Sequence, residues 1–194
     1  ALAQTRLSGI STNLDYLRGI LASSAFIEGR VSTGFLDTYS HESALVEVLE
    51  GGTYTTVQDY PGRAGYWDIG VPPSGPMDDL AFRLANRIVG NQEDAAGLEC
   101  TLQGPTLRFH GDALIALTGA PAEATLDDGL PLPWWQPIPV RASQVLRMGR
   151  ATSGCRSYIA LRHGLDVPDY LGSKSTFVLG KFGGHAGRTL GVGD

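Results

Sequence analysis

The residues best suited to chemistry lie in one polar loop, residues 56–78. The loop places an amide, two carboxylates, a guanidinium and a hydroxyl close together in sequence: Gln58, Asp59, Arg63, Ser74 and Asp78. A guanidinium can hold a carboxylate through two parallel hydrogen bonds, and glycine amides such as that of Gly75 can donate to an oxyanion. The loop is therefore predicted to be functional, with donors that could hold an oxyanion or a carboxylated ligand.

The same residues also allow a purely structural interpretation. In that interpretation Asp59 and Arg63 pair with each other locally. Asp78 then does no more than cap the helix that follows, because an aspartate side chain can accept from exposed first-turn amides. The sequence leaves both interpretations open.

The elements on either side of the loop would hold it in place. A strand-like segment, residues 54–57, leads into the loop, and an amphipathic helix follows it from Asp78 to a stop at Gly90. Glycines and prolines alternate through the loop and fix its course: Gly62, Gly65, Gly70, Gly75, Pro61, Pro72, Pro73 and Pro76. An ordered loop of this length in a compact domain is usually functional.

The remainder of the chain predicts a mainly β protein with minor α content. Short apolar segments alternate with turn residues at regular spacing, which is typical of a barrel or a sandwich. Residues 1–39 differ, since they contain one predicted helix, from Thr12 or Asn13 to about Ala22, and cannot bury a core alone. The predicted boundaries are residues 1–39, a polar linker at 40–44, and a β domain at 45–194.

Other candidate residues are weaker. Lys174, Ser175 and Thr176 could face a substrate pocket, although they lack the glycine pattern of a phosphate loop. Glu99, at the start of a predicted strand, is a candidate acid that would contact the residues of a site and not the substrate. The four histidines lack metal-ligand spacing, so no metal site is predicted, and His185 in the glycine-rich tail is kept as a candidate.

Composition argues against several classes of function. A net charge of −5 opposes non-specific nucleic-acid binding. No apolar run is long enough for a membrane helix, and no signal peptide is visible. The two cysteines, Cys100 and Cys155, are predicted to be buried free thiols. These features predict a cytoplasmic protein whose partners include neither nucleic acid nor a membrane.

A spaced pattern of residues runs through positions 1–37. It reads L-x-G-I-x-T-N-L-x-x-L-x-x-I and then F-x-x-G-x-x-x-T-x-F-L, with matches at Gly9, Ile10, Thr12, Asn13, Leu17, Ile20, Phe26, Gly29, Thr33, Phe35 and Leu36. The pattern resembles the last segment of biotin carboxylase domains of the ATP-grasp type. The ATP loop and metal-binding carboxylates of that family have no counterpart here, so the resemblance implies a structural role for residues 1–39, as a small α/β tail.

A second set of motifs covers residues 45–194. These are T-V-Q-D-Y-P-G-R-x-G-Y, G-V-P-P-S-G-P-M-D, L-A-N-x-I-V-G-N, A-G-L-E, G-P-T-L-x-F, A-L-T-G-A and Y-L-G-S-K-S-T. They resemble the carboxyltransferase module of the urea carboxylase (urea amidolyase) family, which also occurs in allophanate hydrolase subunit 2, kinase-inhibitor-antagonist and 5-oxoprolinase subunits. The resemblance implies a cyclophilin-like β-barrel.

The two resemblances together imply part of an enzyme that moves a carboxyl group from carboxybiotin to urea, giving allophanate. Biotin would be carried elsewhere in the parent enzyme, and ATP, Mg and bicarbonate would be used by its biotin carboxylase domain. The implied partners are urea or a similar small amide, carboxybiotin on a carrier domain, and other domains of the same enzyme. A homo-oligomer and a fused allophanate hydrolase are left open, and this chain alone is expected to be inactive.

In this interpretation the loop supplies the site. The expected catalytic residues are Asp59, Arg63 and Gln58, and the expected substrate-binding residues are Ser74, Gly75, Asp78, Lys174, Ser175 and Thr176. Three alternatives stay open: guanidine or another amide as the acceptor, a protein like a 5-oxoprolinase subunit, and a non-catalytic regulatory binding module.

Overall fold

The computed structural model describes residues 17, 20–21, 23–39, 46–127 and 129–194. The chain divides into two compact units, Ala1–Ser43 and Ala44–Asp194. The described part of the first unit includes two short helices, α1 (Ser24–Ile27) and α2 (Phe35–Thr38), and residues 17, 20 and 21 are also helical. Most of the helix predicted up to Ala22, and the whole predicted linker at 40–44, lie outside the described residues.

The second unit is mainly β. Its strands are β1 (Val46–Glu50), β2 (Tyr54–Gln58), β3 (Gly97–Thr101), β4 (Thr106–Phe109), β5 (Ala113–Gly119), β6 (Ala122–Thr125), β7 (Pro137–Val140), β8 (Val145–Ala151) and β9 (Arg156–Leu161). A one-turn 3-10 helix (Trp67–Ile69) lies in the loop, and α3 (Asp79–Ile88) follows it. None of the described helices is long and apolar enough to cross a membrane.

The strands form two antiparallel sheets around one core. One sheet has the order β1-β4-β8-β6 and the other the order β2-β3-β9-β5-β7. Apolar side chains from both sheets meet in a single buried cluster, for example Leu107 and Leu146 from the first sheet and Ile115 and Ile159 from the second. Because strand side chains alternate between faces, the second sheet also presents a buried outer face.

Helix α3 covers that outer face. Its buried side chains Ala81, Phe82 and Ala85 pack on Tyr158 and Ala160 of β9, and the Phe82 and Tyr158 rings meet edge to face at 5.8 Å. The Asp78 side chain accepts from the Ala81 amide at 3.0 Å, which confirms the predicted N-cap. The predicted loop–helix junction is therefore confirmed, with apolar packing on one side of the helix.

The closed barrel implied by the family resemblance is not what the described strands form. Each sheet keeps two edges, and the architecture is the sandwich that strand spacing had allowed as the alternative. At one side, prolines 137 and 139 occupy edge strand β7; proline has no amide hydrogen to give to a further strand.

At the other side, the irregular segment that follows β9, residues 162–194 (the tail), bonds to the edge strand of each sheet. The Thr176 and Leu190 amides donate to β2 carbonyls at 3.0 and 2.9 Å, and the Gly193 amide donates to the Val48 carbonyl of β1 at 2.9 Å. The Val48 amide in turn donates to the Asp194 carbonyl at 2.8 Å. Isolated main-chain bonds from the tail thus replace a continuous strand pairing between β1 and β2.

Candidate functional site

The Asp59 carboxylate is the point at which the loop and the tail meet. It accepts from the Ser173 and Ser175 hydroxyls, each at 2.6 Å, and from the Lys174 amide at 2.7 Å. The Asp59 amide also donates to the Ser175 hydroxyl at 3.0 Å. These bonds join residues more than a hundred positions apart, so Asp59 fixes the start of the loop to residues 173–175.

Arg63 performs a similar task deeper inside the protein. Its side chain is 1% exposed; Nε donates to the Tyr170 carbonyl at 2.9 Å and Nη2 to the Ser175 carbonyl at 2.8 Å. The guanidinium lies 4.9 Å from the centre of the Phe182 ring, while its Nη1 is buried with no hydrogen-bond partner among the described residues. Burial lowers the pKa of Arg63, because the charged form loses hydration.

The local Asp59–Arg63 ion pair allowed by the sequence is therefore absent among the described contacts. Both side chains instead bond to residues 170–175 of the tail. The sequence did not identify what either side chain contacts.

The second half of the loop is held by Gln58. Its Oε1 accepts from the Gly75 amide at 3.0 Å, and its Nε2 donates to Thr56 Oγ1 at 2.9 Å. The Arg63 amide donates to the Pro73 carbonyl at 2.6 Å. Ser74 and Gly75 both have positive φ, 57° and 83°, and a Cβ on Gly75 would lie 2.9 Å from the Pro61 carbonyl oxygen. The two ends of the loop are thus packed backbone against backbone.

Glu99, on strand β3, holds the C-terminal end of the loop. Its Oε2 accepts from the Met77 amide at 2.7 Å and from the Tyr158 hydroxyl at 3.0 Å. The Tyr158 oxygen accepts from the Asp78 amide at 2.7 Å. Sequence reasoning missed Tyr158, because it reads as one more apolar position of a strand. Burial, together with the nearby Glu99, raises the pKa of Tyr158, so its hydroxyl stays protonated and donates.

Residues 174–176 face the protein rather than an open pocket. The Thr176 hydroxyl donates to the Val57 carbonyl at 2.9 Å, and the Lys174 ammonium lies 3.4 Å from the Leu165 carbonyl. Ser175 bonds to Asp59. The structure therefore brings these three residues together with Asp59 and Arg63, and places Asp78 at the start of α3.

A cavity of about 320 Å³ lies on the tail, lined by residues 168–170, 181–184 and 186–187. It includes the Tyr170 and Phe182 rings, whose centres are 4.7 Å apart, and the charged residues Asp169 and Lys181. Sequence reasoning did not predict this cavity. The one feature of the sequence that marks it is the pair Lys181 and Phe182, which interrupts the glycine-rich tail. Among the described residues, no group of three or more His, Cys, Asp or Glu side chains could hold a metal ion.

His185 lies beside this cavity in sequence, and its ring contacts the Asp194 carboxylate. One ring nitrogen lies 3.1 Å from Asp194 Oδ1, and Arg188 donates to both carboxylate oxygens. Hydrogen bonds from Arg188 lower the pKa of Asp194. His185 therefore helps to hold the end of the tail.

Residues 69–194 match the family described as carboxyltransferase domain, subdomain A and B, which is more than half of the chain. The chain belongs to this carboxyltransferase domain family. The similarity of this carboxyltransferase chain to a known enzyme extends beyond the matched residues: it is 50% identical to urea amidolyase of Saccharomyces cerevisiae along its whole length, and covers 10% of that protein.

Two further relatives complete the comparison. The chain is 43% identical to a 5-oxoprolinase subunit of Escherichia coli over 77% of its length, covering 48% of that protein. It superposes on the crystal structure of Kluyveromyces lactis urea carboxylase with a TM-score of 0.77 at 49% identity, covering all of this chain and 17% of that one. The resemblance to urea carboxylases predicted from the sequence is confirmed, and the chain is similar to a segment of such enzymes.

Proposed function

We propose that this chain forms part of the carboxyltransferase of a biotin-dependent urea carboxylase. In the proposed reaction, a carboxyl group moves from carboxybiotin to a nitrogen of urea and gives allophanate. The observation that carries the proposal is the similarity to urea amidolyase along all 194 residues, which extends well upstream of the carboxyltransferase match at 69–194. Residues 1–39 are then the tail of a biotin carboxylase domain and residues 45–194 the first part of the transferase.

The hydrogen bonds of the loop support a positioning role for its charged residues. Both oxygens of Asp59 are engaged by donors from residues 173–175, and Arg63 is buried against two carbonyls. We therefore assign Asp59, Arg63 and Gln58 to holding the loop in a fixed shape. A rigid arrangement matters because carboxyl transfer depends on near-attack positioning of two small reactants.

Among the loop residues predicted to bind substrate, Ser74 keeps both its hydroxyl and its amide available. Within the described residues neither makes a hydrogen bond, and Ser74 is partly exposed. Both can donate to a urea oxygen as negative charge develops on it. Biotin, when bound on its carrier, supplies the carboxyl group. The transfer of that group requires a site shielded from water.

The proposed partners follow from this function. They are urea or a similar small amide, carboxybiotin on a carrier domain and the other domains of the same enzyme. ATP, Mg and bicarbonate would be used by the biotin carboxylase domain, and we expect a cytoplasmic location.

Substitutions in the intact carboxylase that contains this chain test the proposal. Asp59→Asn and Arg63→Ala should slow urea-dependent ATP cleavage and allophanate formation by about tenfold or more, since the loop loses its anchor. ATP cleavage with free biotin should be unchanged. Arg147→Ala, at an exposed ion pair on β8, is the matched control. Normal allophanate formation by both loop variants would sink the assignment.

One observation favours a second candidate. The 43% identity to a 5-oxoprolinase subunit covers most of the chain, so 5-oxoproline is a candidate substrate class. Guanidine is a further candidate acceptor, since it has the shape of urea. Comparing ATP cleavage by the intact enzyme with urea, guanidine and 5-oxoproline decides among them, and a preference for 5-oxoproline would replace the urea proposal.

A further inference from the structure

The loop carries a projecting segment, residues 64–72, which we call the arm. At its base the Arg63 amide donates to the Pro73 carbonyl at 2.6 Å. Nearer its tip the Val71 amide donates to the Tyr66 carbonyl at 3.0 Å, across the single 3-10 turn. Because these bonds join the two sides of the arm, and prolines follow it, the backbone of the arm is held in one shape.

The tip of the arm presents large apolar side chains to solvent. Trp67 is 72% exposed and Ile69 is 68% exposed. A segment that becomes ordered normally offsets the entropy cost by burying its own apolar side chains. The arm is ordered by backbone bonds instead, and it leaves these two side chains outside. A tryptophan on a preorganised projection is typical of a residue that fills a pocket on a partner.

The charge of the arm indicates what kind of pocket receives it. Asp68 lies between Trp67 and Ile69 and is the one charged side chain of the arm. It is exposed, and it makes no hydrogen bond or ion pair with another described residue. A carboxylate that enters a pocket loses its hydration and needs a cation beside it. The matching pocket is therefore apolar inside and has a lysine or arginine at its rim.

A second copy of this chain is a poor match for the arm. The cavity on the tail has Asp169 as well as Lys181 in its lining, so a carboxylate brought there by the arm meets a like charge. The relatives contain much further polypeptide: this chain covers 10% of the Saccharomyces cerevisiae urea amidolyase and 48% of the Escherichia coli 5-oxoprolinase subunit. A contact within one polypeptide also benefits from a high effective concentration.

We propose that the arm docks into a pocket on another part of the same enzyme, apolar inside and bordered by a lysine or arginine. Trp67 and Ile69 fill the pocket, and Asp68 pairs with the cation at its rim. Since Arg63 at the base of the arm bonds to the tail, docking fixes the candidate site relative to that other part. The inference requires only that the chain belongs to a longer enzyme, and it does not depend on the acceptor.

Hydroxyl-radical footprinting of the intact enzyme tests the docking, because tryptophan is readily oxidised when water reaches it. Peptide mass spectrometry measures the oxidation of Trp67 in the native intact enzyme and in the same enzyme unfolded by denaturant. We expect oxidation to be about fivefold slower or more in the native enzyme, because a docked tryptophan is shielded from water. Equal rates in the native and unfolded enzyme overturn the inference.

Charge reversal tests the cation at the rim. Asp68→Lys places a like charge against it, and the oxidation rate of Trp67 in the native enzyme should rise to within about twofold of the unfolded rate. Asp94→Lys is the matched control, because Asp94 is an exposed aspartate outside the arm, and it should leave Trp67 protected. Protection of Trp67 that survives Asp68→Lys unchanged rejects the charged pocket and overturns the inference.

Photo-cross-linking identifies the occupant. The intact enzyme is irradiated with the photoreactive amino acid benzoylphenylalanine in place of Trp67, and the products are separated by mass and sequenced. We expect products of the mass of one subunit, in which position 67 is joined to a peptide outside this chain. Products of twice the subunit mass assign the arm to a second copy, and products within the 194 residues assign it to this chain. Either result overturns the inference, as does the absence of any product.

These measurements need no turnover, so they separate the inference from the proposed function. A docked arm in an enzyme that does not carboxylate urea rejects the proposed function alone. Urea carboxylation by an enzyme whose Trp67 is oxidised as fast as in the unfolded state rejects the docking alone.

Discussion

At the scale of single residues, burial decides what each reactive side chain can do. Arg63 is a cation that is 1% exposed, yet it has no carboxylate in contact among the described residues. Two carbonyls and two aromatic rings replace its hydration, and removing any of them leaves a buried charge poorly compensated. A buried arginine of this kind stabilises the shape of its surroundings more readily than it binds a ligand directly.

Burial also decides how reactive each of the two cysteine thiols is. Both were predicted to be buried, but Cys155 is exposed and only Cys100 is buried, because Cys155 falls just before β9 instead of within it. Burial raises the pKa of Cys100 to about 12. Since the thiolate is the reactive form, Cys100 should be inert at pH 8.

Thiol titration with a chromogenic disulfide checks this prediction. The native chain should react at one thiol, the chain in denaturant at two, and native Cys155→Ser at none. Rapid reaction of native Cys155→Ser would show that Cys100 is accessible.

At the scale of elements, α3 depends on the turn that follows it as well as on its cap. Glu93 accepts from Arg83 Nε at 2.7 Å and from Arg87 Nη1 at 2.6 Å, which ties two positions of the helix to the segment before β3. The hydrogen bond from Arg83 lowers the pKa of Glu93, so the folded state favours the ionised carboxylate.

The stability contributed by the Glu93 carboxylate depends on pH. Above about pH 4.3, the ordinary glutamate value, the stabilisation is fully present. It is lost as the pH falls through the lower pKa of the folded state. The difference in free energy of unfolding between wild type and Glu93→Gln should therefore be positive at pH 7 and shrink at acid pH. Exposed Glu123→Gln is the control, and a difference that persists at low pH contradicts the ion-pair explanation.

Two glycines of the tail distinguish two reasons for a glycine: a positive φ, and the lack of room for a side chain. Gly172 and Gly183 have similar φ, 75° and 72°. A Cβ on Gly172 would meet no atom of the described residues within 4 Å, whereas one on Gly183 would overlap the Ser175 carbonyl and approach Arg63. Gly172→Ala should cost about 1 kcal/mol and Gly183→Ala about 3 kcal/mol or more. Thermal unfolding of the 194-residue chain measures both, and equal losses would show that only φ matters.

These elements also show what the sequence could predict. The helix after Asp78 was predictable because its cap, apolar stripe and glycine stop are all local signals. The partners of Asp59 and Arg63 were not, because hydrogen bonds to residues 170–176 depend on how the tail folds back over β2. The cavity was not predicted because it forms where residues 168–170 and 181–187 come together, which no residue type reveals.

At the scale of the whole molecule, the tail takes the place of strand pairing between two sheets. Edge strands β1 and β2 would each expose unpaired main-chain groups, which promote association with other chains. Leu190, Gly193 and Asp194 bond to these edges, and Leu190 also packs against the core shared by both sheets. The family resemblance implied closure by a barrel, whereas the chain covers these two edges with a segment that has no regular secondary structure.

Removing residues 188–194 should therefore expose both edges at once. We expect the shortened chain to keep its β circular-dichroism signal, to unfold at a lower temperature, and to self-associate in size-exclusion chromatography with light scattering. If it fails to fold, Leu190→Pro tests the same idea more gently, since it deletes the bond from the Leu190 amide to the Thr55 carbonyl, with Thr189→Ala as the control. A shortened chain that stays monomeric and unfolds at the wild-type temperature would mean that the tail does not protect the edges, and that pairing within each sheet alone suffices to keep β1 and β2 from associating.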